Sequence, residues 1–249
     1  MTSSQSANMS VHEFMIWVMH RFSEVFREHA VLKGGMQLML MSSERATNDL
    51  DYVFVPFTSK KDIAARIEEV LVQLPDARVQ ASLHSSSGRF LVTRGETSVQ
   101  IEFDVSTDVP TEPLTTELLA RKAGVLPRVI RVMSKEVAMA NKLAAWNERR
   151  LARDLYDIYY WYAHVDVLPD QDALNSRLAK ISSRLPKFKN LKHMSQAEFW
   201  EVFLNEVHGL DEKDFLVQLG PLLPPHRLEG LAAVLKAKLS ELAYRYKTA

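Results

Sequence analysis

The chain has no cysteine among its 249 residues. That excludes a disulfide framework, a thiolate metal site and a cysteine nucleophile, and it agrees with a reducing compartment. It also has no excess charge: 31 Lys and Arg balance 31 Asp and Glu. A protein that coats nucleic acid through bulk charge is therefore excluded, while local basic patches are not. No apolar run approaches the length of a membrane span. The opening ten residues, MTSSQSANMS, lack the basic start and apolar middle of a signal peptide and read as a flexible polar N-terminus. A cytoplasmic protein without membrane contact is the expectation. Helix breakers are scarce in one long stretch: between Gly124 and Gly209 only Pro127, Pro169 and Pro186 interrupt the chain.

What is present is ordinary for a globular protein, with 47% apolar and 25% charged residues and enough length for one large domain or two small ones. Val11 to Ala30 reads as an amphipathic helix with Phe14, Val18, Phe22, Val25 and Phe26 on one stripe. Val31-Leu32 reads as a short strand before Gly34-Gly35, and Met36 to Met41 as a brief apolar helix. Asp49 to Pro56 is a strand whose Leu50, Tyr52 and Phe54 face one way and Asp49, Asp51 and Val53 the other. Lys60 to Leu74 follows as a helix. Val79 to Leu83, Arg89 to Thr93 and Val99 to Val105 alternate as strands, the last two joined by a turn at Arg94-Gly95-Glu96-Thr97. Ser85-Ser86-Ser87-Gly88 reads as a flexible loop rather than a nucleophile elbow. Thr107 to Thr116, with Pro110 and Pro113, reads as a connecting loop, and Ile130 to Met133 as a further strand.

From Ser134 the pattern is helical. Lys135 to Tyr162 forms one long helix or two. On a single helix, Lys142, Trp146, Arg149 and Arg153 share a stripe. Gln196 to Val207, Glu212 to Leu219 and His226 to Tyr246 complete the helical half. The expected fold class is α+β, a mixed sheet flanked by helices and followed by a helical C-terminal region. The expected divisions are residues 1–10, 11–133 and 134–249.

Three aspartates carry the chemistry. Asp49 and Asp51 leave the same face of one strand. Asp104 stands on a strand that is expected beside it. Carboxylates gathered so closely repel one another unless a cation neutralises them. A hard divalent ion with oxygen ligands suits them, and Mg²⁺ fits best where phosphates complete the shell. Gly34-Gly35 complements this, because glycines let backbone N–H groups approach phosphate oxygens at the start of a helix. Either feature alone is also read as an ordinary turn or strand end. The combination is more specific.

The order Lys33-Gly34-Gly35, Arg45-x-Thr47-x-Asp49-x-Asp51, Asp104, Lys142 and Arg153-Asp154-Leu155-Tyr156-Asp157 resembles the AbiEii-type nucleotidyltransferase family. Those proteins are toxins of type IV toxin–antitoxin and phage-abortive systems within the DNA polymerase β-like superfamily. The resemblance covers roughly Val31 to Tyr160. It implies a magnesium-dependent transfer of a nucleoside monophosphate from a nucleoside triphosphate to an acceptor hydroxyl, tRNA among the acceptors, by a toxin restrained by an antitoxin. It further implies a nucleotide-binding set of Gly34, Gly35, Arg45, Thr47, Lys142, Arg153 and Asp157, with Gly34 and Gly35 on the triphosphate and Lys142 contacting it. Metal falls to Asp49, Asp51 and Asp104, and the catalytic set adds Lys142 and Asp154. The wider superfamily has serine where this chain has Gly35, which leaves the phosphate geometry open.

Other readings stay open at this point. Arg153 and Asp157 also form an ordinary i,i+4 surface pair. The aromatic run from Tyr156 to Tyr162 stacks a base or fills a core. Two basic stretches, Arg121, Lys122, Arg128, Arg131 and Lys135, then Arg177, Lys180, Arg184, Lys187, Lys189 and Lys192, grip an RNA backbone or form solvated helix faces. A non-catalytic nucleotide- or antitoxin-binding protein and a protein-modifying nucleotidyltransferase are the functional alternatives. A metal-dependent hydrolase leaves Gly34-Gly35 unexplained.

Overall fold

A computed structural model describes residues 9–84, 87–183 and 185–247, with Lys187 by its backbone alone. Most of the expected flexible N-terminus, Ser85 and Ser86 of the serine loop, and Arg184 and the Lys187 side chain of the second basic stretch lie outside the described residues. The chain divides into two compact units. The first comprises the residues up to Ser43 and Thr47–Met133. The second comprises Glu44–Ala46 and Ser134 onward.

The first unit is a seven-stranded mixed sheet with helices. Its elements are α1 (Val11–Phe26), β1 (Ala30–Lys33), α2 (Gly34–Leu40), β2 (Asp49–Phe54), α3 (Lys60–Leu71), β3 (Arg78–Leu83), β4 (Gly88–Arg94), β5 (Thr97–Val105), β6 (Thr111–Thr115), α4 (Glu117–Lys122) and β7 (Val129–Met133). The strand order is β3-β4-β5-β2-β1-β7-β6. β2 runs antiparallel to β1 and parallel to β5, so it is paired on both sides. α1 begins where Ser10 and Glu13 form a reciprocal capping box. Its Phe22 ring meets Tyr52 and Phe54 edge-on, at centroid distances of 5.0 and 5.8 Å. Leu50, Tyr52 and Phe54 are thereby sealed under α1, and the alternation of β2 sends Asp49 and Asp51 to the opposite face of the sheet.

Two expectations need correcting here. The stretch from Thr107 to Thr116 is not all loop, because Thr111–Thr115 is β6, paired with β7. Proline is tolerated there because β6 is the edge of the sheet and needs ladder bonds on one side only. Gly88 is not a loop residue either but the first of β4, where a Cβ would overlap the Phe103 ring. α4 had no counterpart in the sequence reading.

The second unit holds α5 (Lys135–Arg149), α6 (Ala152–Ala163), α7 (Gln171–Leu178), α8 (Gln196–His208), α9 (Glu212–Leu219) and α10 (Leu231–Lys247). The long helical stretch is thus two helices. Arg150 takes a left-handed conformation (φ 53°, ψ 40°) that ends α5, so the single stripe running to Arg153 does not form. Trp146, Phe199, Trp200 and Phe203 make an edge-to-face aromatic core. Tyr156, Tyr159 and Tyr162 are buried with it, and the Tyr162 hydroxyl donates to Glu241 at 2.7 Å. Among the described residues no helix is long and apolar enough to cross a membrane.

Candidate active site

In the first unit the site grows from the antiparallel pairing of β1 and β2. Lys33, the last residue of β1, stands opposite Asp51. The chain turns at Gly34 with φ +76° and enters α2. A Cβ on Gly34 would overlap the Asp51 carboxylate, so glycine is imposed twice, by conformation and by contact. No side chain caps α2. Its first-turn N–H groups are those that lack an intrahelical acceptor and suit an anion. Gly35 is buried in that same turn.

Asp49 and Asp51 are half-buried at the start of β2. The Thr47 hydroxyl donates to Asp49 Oδ1, which fixes that carboxylate. The structure does not bring Asp104 level with them. In the parallel pairing of β2 and β5, Asp49 aligns with Gln100, Asp51 with Glu102, and Val53 with Asp104. Asp104 shares their face but stands one same-face step, about 6.6 Å, beyond the level of Asp51 and two steps beyond that of Asp49. It lies 3.4 Å from Lys60, and its Oδ1 also accepts the Val105 amide. The residue opposite Asp51 is Glu102, which accepts from Arg89 at 2.6 Å and from the Gln100 side chain at 3.0 Å. Sequence reasoning passed over Glu102. Aligning the apolar series Leu50, Tyr52, Phe54 with Ile101, Phe103, Val105 was the available signal. Among the described residues no three His, Asp or Glu side chains are grouped closely enough to form a metal site by themselves.

The second unit carries a buried charge network. The short piece Glu44–Ala46 belongs to it. Ala46 N–H donates to the Leu222 carbonyl at 2.8 Å, and Arg227 grips Glu44 in bidentate fashion at 2.6 and 3.0 Å. Arg45 is buried and forks onto Asp157 at 2.6 and 3.2 Å. The break at Arg150 lets α6 pack back against α5. Lys142 and Arg149, two turns apart on α5, then meet Asp154 and Asp157 of α6. Lys142 Nζ lies 2.7 Å from Asp157 and 3.6 Å from Asp154. Arg149 binds Asp154 through two contacts of 2.7 Å.

Both aspartates are fully buried. Burial pushes the Asp157 carboxyl upward, but Lys142 and Arg45 outweigh it and hold it below the usual range. Three cations, Arg45, Lys142 and Arg149, thus face the two buried carboxylates. Arg153 is exposed and stands outside this network; both Asp157 oxygens are taken by Arg45 and Lys142.

The architecture places the chain among nucleotidyltransferase-like folds. It resembles MenT4, a nucleotidyltransferase toxin from Mycobacterium tuberculosis, with a TM-score of 0.62 and 16% identity over 95% of this chain and 86% of that one. It also resembles JHP933 from Helicobacter pylori, with a TM-score of 0.56 and 19% identity over 100% of this chain and 95% of that one. Likeness at such identity is likeness of fold. Comparison with curated proteins gives no match. The family model "Nucleotidyl transferase AbiEii toxin, Type IV TA system" matches residues 17–237, and the chain belongs to that family. It is a nucleotidyltransferase of the toxin–antitoxin class.

Proposed function

We propose that this protein transfers a nucleoside monophosphate from a nucleoside triphosphate to an acceptor hydroxyl, with Mg²⁺ held by Asp49 and Asp51. One observation carries the reading: the glycine turn that suits phosphate lies in contact with a carboxylate that suits a metal ion. The donor set fits a hard divalent cation, since it offers only carboxylate oxygens and leaves places for phosphate oxygens. When bound, the ion supplies charge neutralisation at the reacting phosphate.

The side chains then divide the work. Backbone amides at Gly34 and Gly35 hold the triphosphate. Thr47 orients Asp49. Lys142 supplies a point charge to the triphosphate, and Asp154 and Asp157 orient it while Arg149 and Arg45 fix those carboxylates. Arg153 adds an exposed cation for the nucleotide. The acceptor oxygen bonds to the α-phosphorus, and the bond to the bridging oxygen of pyrophosphate breaks. Pyrophosphate leaves with its charge, and the acceptor proton passes to solvent. We take glutamate rather than aspartate as the third carboxylate, since Glu102 is level with Asp51. Asp104, the residue expected from sequence, is the alternative.

The acceptor we favour is RNA, with tRNA first. The basic stretch that includes Lys122 and Arg131, beside Arg121 and Arg128 that pair with Glu117 and Glu24, supports a backbone grip. The biological setting is a cytoplasmic toxin in phage defence, restrained by a cognate antitoxin. The test is incubation with each α-labelled nucleoside triphosphate, Mg²⁺, and either tRNA or cell protein, followed by pyrophosphate assay. Label on RNA with stoichiometric pyrophosphate is the expected result. Label on a protein band and none on RNA selects a protein acceptor instead. Absence of pyrophosphate release with every nucleotide and both acceptor pools refutes the reaction.

A further inference from the structure

A cavity lies in the first unit, on the α1 side of the sheet, opposite the face that carries Asp49 and Asp51. It has a volume of about 490 Å³ and opens between α1, the segment after α4 and the β4–β5 turn. That size falls in the range of small-molecule sites. Its apolar surface comes from Ile16, Trp17, Ala123 and Val125. Its charged surface comes from Arg21, Arg94 and Arg128 against Glu13 and Glu24.

The two carboxylates are already committed. Glu13 accepts the Ser10 amide at 2.6 Å in the α1 capping box. Glu24 is held by Arg128 at 2.5 Å through one oxygen and by Arg21 through the other. Arg94, at the hairpin turn, has no side-chain partner among the described residues. His20 completes the wall as a neutral group. The Thr116 hydroxyl donates to the Arg128 carbonyl, so the His20 Nε2–H donates to Thr116 Oγ1 at 2.9 Å. Burial first, and Arg128 second, keep that imidazole from charging. The cavity thus pairs an aromatic and aliphatic surface with one net positive charge and a guanidinium that is not in use. Both features are selective for the same ligand chemistry.

We propose that this cavity binds a small organic anion, an apolar or aromatic body bearing one carboxylate or phosphate, with the body against Trp17 and Val125 and the anion on Arg94. The site is independent of the nucleotidyl-transfer centre. Isothermal titration of the full-length protein tests it with indole-3-acetate, decanoate and 1-naphthyl phosphate. Acetate, inorganic phosphate and indole serve as probes that carry one half of the chemistry alone. The expected result is one site per chain for at least one complete probe, with each half-probe bound about tenfold or more weaker. The three probes separate aromatic from aliphatic bodies and carboxylate from phosphate.

Arg94→Ala, which breaks no internal pair, should weaken binding about tenfold, the share of a single charge-assisted hydrogen bond. Val125→Glu, at a residue 44% exposed, should abolish it by placing a negative charge in the cavity. Unchanged melting of both variants keeps the comparison clean. No binding of any complete probe up to about 5 mM, a free energy too small for a built site, overturns the proposal. So does binding that neither substitution alters.

Discussion

Replacing Gly34 by alanine tests the contact on which the site rests. The backbone there has φ +76°, and placing an L-residue in the left-handed region costs about 1–2 kcal/mol. The new Cβ would also overlap the Asp51 carboxylate and lie 3.1 Å from Asp51 Cβ and Cγ. Asp51 is the partner that can yield, at about 0.5–1.5 kcal/mol for leaving its rotamer well. The combined destabilisation is roughly 1.5–3.5 kcal/mol, which in a chain of this size lowers the melting temperature by about 3–14 °C. The functional loss should be larger than the stability loss. A metal-holding carboxylate displaced by about 1 Å is expected to cut transfer by about 100-fold. Differential scanning calorimetry and pyrophosphate release measure the two separately. In an Asp51→Ala background the overlap with the carboxylate is gone and only the 3.1 Å approach to Cβ remains, so Gly34→Ala should then cost less, little more than the backbone share of about 1–2 kcal/mol. A Gly34→Ala protein with unchanged melting and full activity would refute the reasoning. Equal destabilisation in both backgrounds would remove the contact from the explanation.

Other outcomes follow from the same geometry. Asp49→Ala and Asp51→Ala should each abolish nucleotidyl transfer and growth inhibition while the fold is kept, relief of like-charge repulsion offsetting lost bonds such as that from Thr47 to Asp49; full activity in either variant removes the metal assignment. Glu102→Gln should impair transfer more than Asp104→Asn, measured as kcat at saturating Mg²⁺, because only Glu102 is level with Asp51; the reverse order restores Asp104 as the third carboxylate. Lys142→Ala should raise the KM for nucleoside triphosphate about tenfold or more with modest loss of stability, since Arg45 and Arg149 still neutralise the two aspartates. Asp157→Asn leaves Lys142 and Arg45 without their shared counter-charge and should cost about 3–5 kcal/mol. Because the folded Asp157 pKa is depressed, its stabilisation is fully present above the unfolded value of about 3.9 and is lost as pH falls through the folded one. The stability gap between wild type and Asp157→Asn should therefore stay constant from neutral pH to about pH 5 and narrow below about pH 4. A gap that narrows at neutral pH argues against a depressed Asp157.

Much of the fold was legible because the determining pattern is local. The alternation in Asp49 to Phe54, the stripe through Phe14, Val18 and Phe22, and the shortage of helix breakers after Gly124 each report on a few neighbouring residues. The misreadings have equally local causes. Pro113 counts against a strand anywhere but at an edge, and nothing near Thr111 announces that it will be one. Arg150 carries no sequence mark of a left-handed residue, so the division between α5 and α6 could not be placed.

By itself, the order of residues determined which side chains share a face. Asp49 and Asp51 project together because strands alternate, and the chain turns at Gly34 because glycine reaches that backbone region without strain. Tertiary structure alone decided which faces meet and at what level. The register of β2 against β5 put Glu102, not Asp104, opposite Asp51. Packing joined Arg45 to Asp157, 112 residues later in the chain, and assigned Glu44–Ala46 to the helical unit rather than to the sheet on either side of it in sequence. The physical reason is that side-chain direction follows from backbone geometry over two to four residues. Strand register and buried ion pairs are settled by the burial of whole apolar faces, to which distant segments contribute equally.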